Sequence, residues 1–190
     1  WFMGLPPWRH FEISAESIGW GVLATLPMLA LLAIANQSRA TSLVQIRQLL
    51  QEMLGRPLAD CGGGDLCLIA LLAGFSEEFL FRGLLEPSLS HWGPATALVS
   101  SNVLFGLCHA ATPLYAVLAG CLGAYLSTTM WLTNEPNLVI PVTCHSLYDL
   151  VAFLVIRNAF LRSHPPSSPT TNAPPDTKIH PDTPEPSVDQ

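Results

Sequence analysis

Five stretches of the chain are apolar over lengths that cross, or nearly cross, a bilayer, and no other feature limits the fold as much. A spanning helix needs about 20 largely apolar residues. Residues 17–36, 66–85, 94–111, 114–132 and 138–160 meet or approach that length. Pro27 lies inside the first stretch, where a membrane helix tolerates it. The connections near 86–93, 111–113 and 133–137 are short and carry Pro, Gly or Asn, as turns do. Only 12% of the 190 residues are charged, against roughly a quarter in a soluble domain. The expected fold is therefore all-α, a polytopic membrane bundle of about five transmembrane helices. Membrane lipid is then an obligatory partner, and with no basic stripe in the sequence nucleic acid is not one.

Between the first two stretches lies TSLVQIRQLLQEMLGRP. Leu43, Ile46, Leu50, Met53 and Leu54 share one helical face, and Gln45, Gln48, Gln51 and Glu52 lie elsewhere around it. Ser42 and Gln45 have the spacing of a capping box, and Gly55 with Pro57 reads as a stop. The segment, about 42–54, is expected to be an amphipathic helix lying in the membrane interface. From Ser163 to Gln190 the chain is rich in Pro and poor in large apolar residues, so residues 163–190 are expected to be a disordered tail behind a membrane domain of residues 1–162. Arg39, Arg47, Arg56, Arg157 and Arg162 share one side of a five-span bundle and Arg9 is opposite, which places the tail in the cytoplasm. The five cysteines show no CxxC spacing and read as free thiols buried among helices. The chain opens on Trp1 rather than Met, which leaves room for upstream helices.

The segment FSEEFLFRG, residues 75–83, places two glutamates and an arginine inside an apolar run. Ionisable groups in a membrane segment are costly and mark functional sites. Here they recur at one spacing: Glu78 and Arg82, Phe105 and His109, and His145 and Asp149 are each four residues apart and share a helix face. Glu78 and Arg82 can pair, whereas Glu77 points about 100° away and meets a different neighbour. Two adjacent carboxylates in a poorly solvated place do not both ionise easily. With Arg82 holding Glu78 charged, Glu77 is the candidate general base. Asp149 is expected to orient His145 through one ring nitrogen and leave the other free. A carboxylate and two imidazoles from separate helices can activate water and stabilise an oxyanion. Any one of these pairs alone could be a packing device; three together, on three helices, point to a site. Helix-rise arithmetic puts Glu77 and His109 at similar depths and His145 roughly 10 Å nearer the other face, a gap that a tilt would have to close.

In chain order EEFLFR, FGLCH and HSLYD fit the patterns EExxxR, FxxxH and HxxxN/D. This set resembles the three motifs of the CPBP (ABI) family of CAAX proteases and bacteriocin-processing enzymes, which includes the type II CAAX prenyl endopeptidases. The resemblance covers about residues 66–160, where FRGLL and the small-residue segment LAGCLGAYL are also similar to the family. It implies an intramembrane endopeptidase acting on a peptide or protein, of CAAX type or otherwise membrane-associated. Glu77 would activate water with His109 assisting, His145 and Asp149 would stabilise the oxyanion, and Glu78 and Arg82 would hold the site together. An ionised Asp donates no hydrogen bond, so orienting His145 suits Asp149 better. The resemblance leaves zinc open. Glu77, His109 and His145 would be its three ligands, with Glu78 as the base, and the metal-free route is the preferred reading. It also implies an integral membrane protein of a bacterial-type plasma membrane or a thylakoid-like membrane.

Three rival chemistries leave no matching pattern. There is no HExxH and no GxSxG, and GGGD (Gly62 to Asp65) and Tyr148–Asp149 occur in the reverse of the aspartyl-protease order. Asp65 instead sits where it can cap a helix. Two other classes stay open: a non-proteolytic membrane scaffold or immunity-type protein, and a small proton-coupled transporter.

Overall fold

The computed structural model describes residues 10–165, and every regular element among them is helical. Arg9 and residues 166–190, which carry most of the expected tail, lie outside the described residues. The helices are α1 (Ala15–Gln37), α2 (Thr41–Ala59), α3 (Gly63–Glu78), α4 (Glu86–Leu89), α5 (Pro94–Cys108), α6 (Pro113–Thr129) and α7 (Val139–Ser163). A π-helical turn, Phe79–Leu85, joins α3 to α4, and a 3₁₀ turn, Ser90–Trp92, leads towards α5.

α7 is the hub, with α1, α2 and α3 packed on it and α5 paired with α6. α1 and α7 start side by side. The Leu138 amide donates to the His10 carbonyl at 2.7 Å, and the Asn137 side chain donates to Glu12 at 2.8 Å. α1 opens with a reciprocal cap in which the Ser17 amide donates to Ser14 Oγ at 3.1 Å and the Ser14 amide to Ser17 Oγ at 3.0 Å. The two helices then run parallel and close. A methyl group on Gly21 would lie 2.6 Å from Thr143 Cβ, so only glycine allows this approach.

α1 and α7 are long and apolar enough to cross a membrane unaided, whereas α5 is apolar but shorter. The five expected stretches are thus unequal in length as helices. The second stretch divides into α3, the π turn and α4, and α6 has 17 residues. The outer surface is nonetheless apolar. Leu68, Leu72 and Phe75 on α3 and Val99, Val103 and Leu107 on α5 stand exposed at helical spacing. Apolar surface of this extent belongs against lipid or a partner rather than water.

Several local expectations are corrected. α2 does not stop at Gly55 but continues through Pro57 to Ala59. Gly55 is a packing glycine, since a Cβ there would sit 2.4 Å from the Phe160 ring. Ser42 does not cap α2; Ala40 occupies that position without a side-chain bond, and the Ala40 amide donates to Ser38 Oγ at 3.2 Å. α5 ends at Cys108, three residues early, with His109 as its C-cap. α7 runs on to Ser163, the residue expected to open the tail. Of the five cysteines, all free, only Cys144 is buried, while Cys67, Cys108 and Cys121 are exposed. The Asp65 cap is present, accepting from the Gly62 amide at 2.8 Å.

Candidate active site

The site forms where α3, α5 and α7 meet. α3 and α7 touch backbone to backbone at Gly74, where a Cβ would fall 2.4 Å from Ser146 Oγ and 2.8 Å from its amide nitrogen. One turn further along α3 come Glu77 and Glu78; beside Ser146 comes His145. This crossing closes the depth gap that counting residues along straight helices left open.

Glu78 and Arg82 are both fully buried, at 0% side-chain exposure, and are joined at 2.9 Å. A buried ion pair costs desolvation that only good geometry and further hydrogen bonds offset. Arg82 has both. Nη2 donates to Asn102 Oδ1 at 3.0 Å and to the Gly123 carbonyl, Nε donates to Ser127 Oγ at 3.2 Å, and the guanidinium lies 4.9 Å from the Phe105 ring centroid. Ser127 also accepts from Asn102 Nδ2 at 3.1 Å and donates to Glu86 Oε2 at 2.7 Å. Gly123 leaves the space, since a Cβ there would be 2.6 Å from Asn102 Oδ1 and 3.1 Å from Arg82 Nη2.

Asn102, Ser127, Glu86 and Gly123 were not singled out by sequence reasoning. The one available signal was polar residues at Ser100, Ser101 and Asn102 within an apolar helix, together with the small-residue face of LAGCLGAYLS.

Glu78 also accepts from His145 Nδ1 at 2.8 Å. This corrects the expected partner. Asp149 does not hold Nδ1; its Oδ2 stands 3.6 Å from Nε2, beyond a hydrogen bond, on the side where Glu77 lies. The carboxylate on α3, not the one four residues along α7, orients the ring. His109 Nδ1 donates to the Phe105 carbonyl at 2.8 Å, and its ring stacks on Phe105 with centroids 4.5 Å apart. Phe105 is in turn edge-on to Phe81 at 4.9 Å. The FxxxH spacing therefore acts through a carbonyl and a stacked ring at a helix end.

With both Nδ1 atoms committed, both Nε2 atoms face Glu77. Glu77 Oε2 lies 3.6 Å from His109 Nε2 and 3.9 Å from His145 Nε2. This oxygen is buried without a hydrogen-bond partner among the described residues, although the Glu77 side chain as a whole is 31% exposed. Three atoms of hydrogen-bonding type, aimed at one another and too far apart to bond, frame a place for a small polar molecule. One carboxylate and two imidazoles are donors that zinc takes. Their separations, however, exceed the roughly 3.4 Å between donors sharing one tetrahedral zinc. Among the described residues no group of three or more His, Cys, Asp or Glu side chains closes into a metal site. As placed, the residues do not fit the metal.

Comparison with known families agrees with the motif reading. Residues 64–151, a little under half of the chain, match the family described as type II CAAX prenyl endopeptidase Rce1-like. At the level of that family, the match points to CAAX-type intramembrane proteases, which act on a protein or peptide at a membrane. No curated protein and no solved structure matches the chain. The matched region begins in the first turn of α3 and ends two residues past Asp149, so it contains all six residues singled out above: Glu77, Glu78, Arg82, His109, His145 and Asp149.

Proposed function

We propose that the chain is an intramembrane endopeptidase that hydrolyses a peptide bond with water activated by Glu77. The observation that carries this reading is the convergence of Glu77 Oε2, His109 Nε2 and His145 Nε2 within 3.6 and 3.9 Å. Water held between Glu77 and His109 gives its proton to the Glu77 carboxylate as its oxygen attacks the scissile carbonyl. The oxyanion takes a hydrogen bond from His145 Nε2–H. A ring with Glu78 at one nitrogen and Glu77 and Asp149 towards the other can donate from both. The C–N bond then breaks, the proton on Glu77 passes to the leaving amine, and water's oxygen stays in the new carboxylate. Glu78 and Arg82 are positioning residues in this scheme, and Asp149 adds negative charge 3.6 Å from His145 Nε2.

The apolar outer faces support a polytopic bundle in which the five apolar stretches of residues 1–162 span the bilayer. In that bundle α2 lies at the interface, and the chain after Ser163 is on the cytoplasmic side.

The test is cleavage of a farnesylated CAAX-type peptide by the chain in liposomes containing ¹⁸O-water. Release of the C-terminal tripeptide, with ¹⁸O in the newly formed carboxylate and loss of both in Glu77→Gln, is the expected result. Full activity in Glu77→Gln would overturn the reading. Loss of activity with 1,10-phenanthroline and its recovery with zinc would reassign the same three side chains to a metal.

A further inference from the structure

Beside the site lies a partly open cavity of about 510 Å³, lined by α1, α2, α6 and α7, with the C-terminal end of α5 at its edge. Its walls are almost wholly aliphatic and aromatic, and its two ends are not. His109, His145 and Asp149 line one end. Asn36, Arg47 and Gln51 line the other, and Arg47 is the one lysine or arginine among all the lining residues. An apolar chamber with a hydrolytic site at one end and a single cation at the other has the polarity of a peptide's C-terminal segment.

Resting on the protease reading above, we propose that Arg47 binds the free C-terminal carboxylate of the substrate. The residues beyond the scissile bond then lie along this chamber. Arg47 is held for that purpose. Its Nη1 donates to the carbonyls of Ala35, Asn36 and Ser38 at 2.5, 3.0 and 2.9 Å, which fixes the guanidinium over the C-terminal end of α1. Those bonds all use Nη1, and no hydrogen bond of Nη2 or Nε is formed among the described residues. A carboxylate is bound best by two parallel N–H groups of one guanidinium, and the Nε–Nη2 edge is such a pair.

The length also suits a short peptide. Asn36 and Val155 line one small neighbouring cavity, which sets the level of the Arg47 end along α7. Val155 is ten residues beyond His145, a rise of about 15 Å. An extended peptide of three or four residues spans about 10–14 Å, which leaves room for a hydrogen bond at the Arg47 end. The chamber therefore suits a short apolar C-terminal segment that ends in a carboxylate.

The experiment measures binding separately from cleavage. The full chain carrying Glu77→Gln is solubilised in detergent and titrated with fluorescein-labelled, S-farnesylated Cys-Val-Ile-Met, once as the free acid and once as the C-terminal amide. The acid is expected to bind at least about tenfold more tightly than the amide, as a charge-assisted bidentate contact should. Adding Arg47→Gln is expected to bring the acid down to the amide's affinity and leave the amide unchanged, while Arg47→Lys retains part of the preference. Equal binding of acid and amide with Arg47 in place overturns the proposal, and that arm needs no variant at Arg47. An acid preference that survives Arg47→Gln overturns it as well. Cleavage by the chain with Glu77 intact is read in parallel. Selective binding without cleavage sinks the protease reading and leaves the carboxylate anchor. Cleavage of acid and amide at equal kcat/KM sinks the anchor and leaves the protease.

Discussion

Glu77 and Glu78 are neighbours in sequence and opposites in setting. Glu78 is fully buried, bonded to Arg82 and His145, and part of a network that reaches Asn102, Gly123, Ser127 and Glu86. Glu77 is 31% exposed and turns Oε2 towards two imidazole nitrogens, none of the three within hydrogen-bond distance of another. The buried side fixes geometry through Glu78 Oε1, Arg82 and His145, although Glu78 Oε2 is itself without a hydrogen-bond partner among the described residues; the half-exposed side has room for a reacting molecule. The difference arises because a helix separates adjacent side chains by about 100°, so one glutamate faces α6 and α7 from within and the other faces the site.

That contrast can be broken experimentally, and the largest effect is expected on the half-exposed side. Glu77→Gln should lower peptide cleavage by about 10²- to 10⁴-fold while the thermal unfolding midpoint in detergent stays unchanged. A matching fall in stability would mean that Glu77 is structural. On the buried side, Arg82→Met should destabilise the protein by about 3–5 kcal/mol, because it leaves a buried carboxylate uncompensated. Its loss of activity should track the loss of folded protein in a chemical-denaturation series. Gly123→Ala tests the same network by volume. The added methyl would sit 2.6 Å from Asn102 Oδ1, and overpacking of this kind costs about 1–3 kcal/mol. An unaltered melting midpoint in that variant would show that the arginine's enclosure is looser than it looks. Smallest of all, Leu72→Ala on the exposed face of α3, where the side chain is 57% accessible, should shift stability by no more than about 0.5 kcal/mol in detergent. A larger loss would identify that face as a protein contact instead of a lipid one.

The same contrast separates what could be read in advance from what could not. The helices were legible because their signals are local: apolar runs, Pro and Gly at the connections, and pairs four residues apart on a shared face. Even there, Gly55 misled, since a glycine that ends a helix and a glycine that admits a neighbouring ring look alike in a sequence. The π turn at Phe79–Leu85 left no pattern to detect.

By itself the sequence determined an all-helical, apolar chain with a carboxylate pair, an arginine and two histidines at helical spacing, because periodicity and side-chain chemistry are properties of consecutive residues. Only the tertiary structure decided that Glu78, not Asp149, holds His145 Nδ1, and that Asn102, Ser127 and Gly123 enclose Arg82. Those choices depend on where α3 crosses α7 at Gly74 and how closely α5 and α6 approach. A crossing point is set by the fit of surfaces far apart in the chain, which no local pattern records.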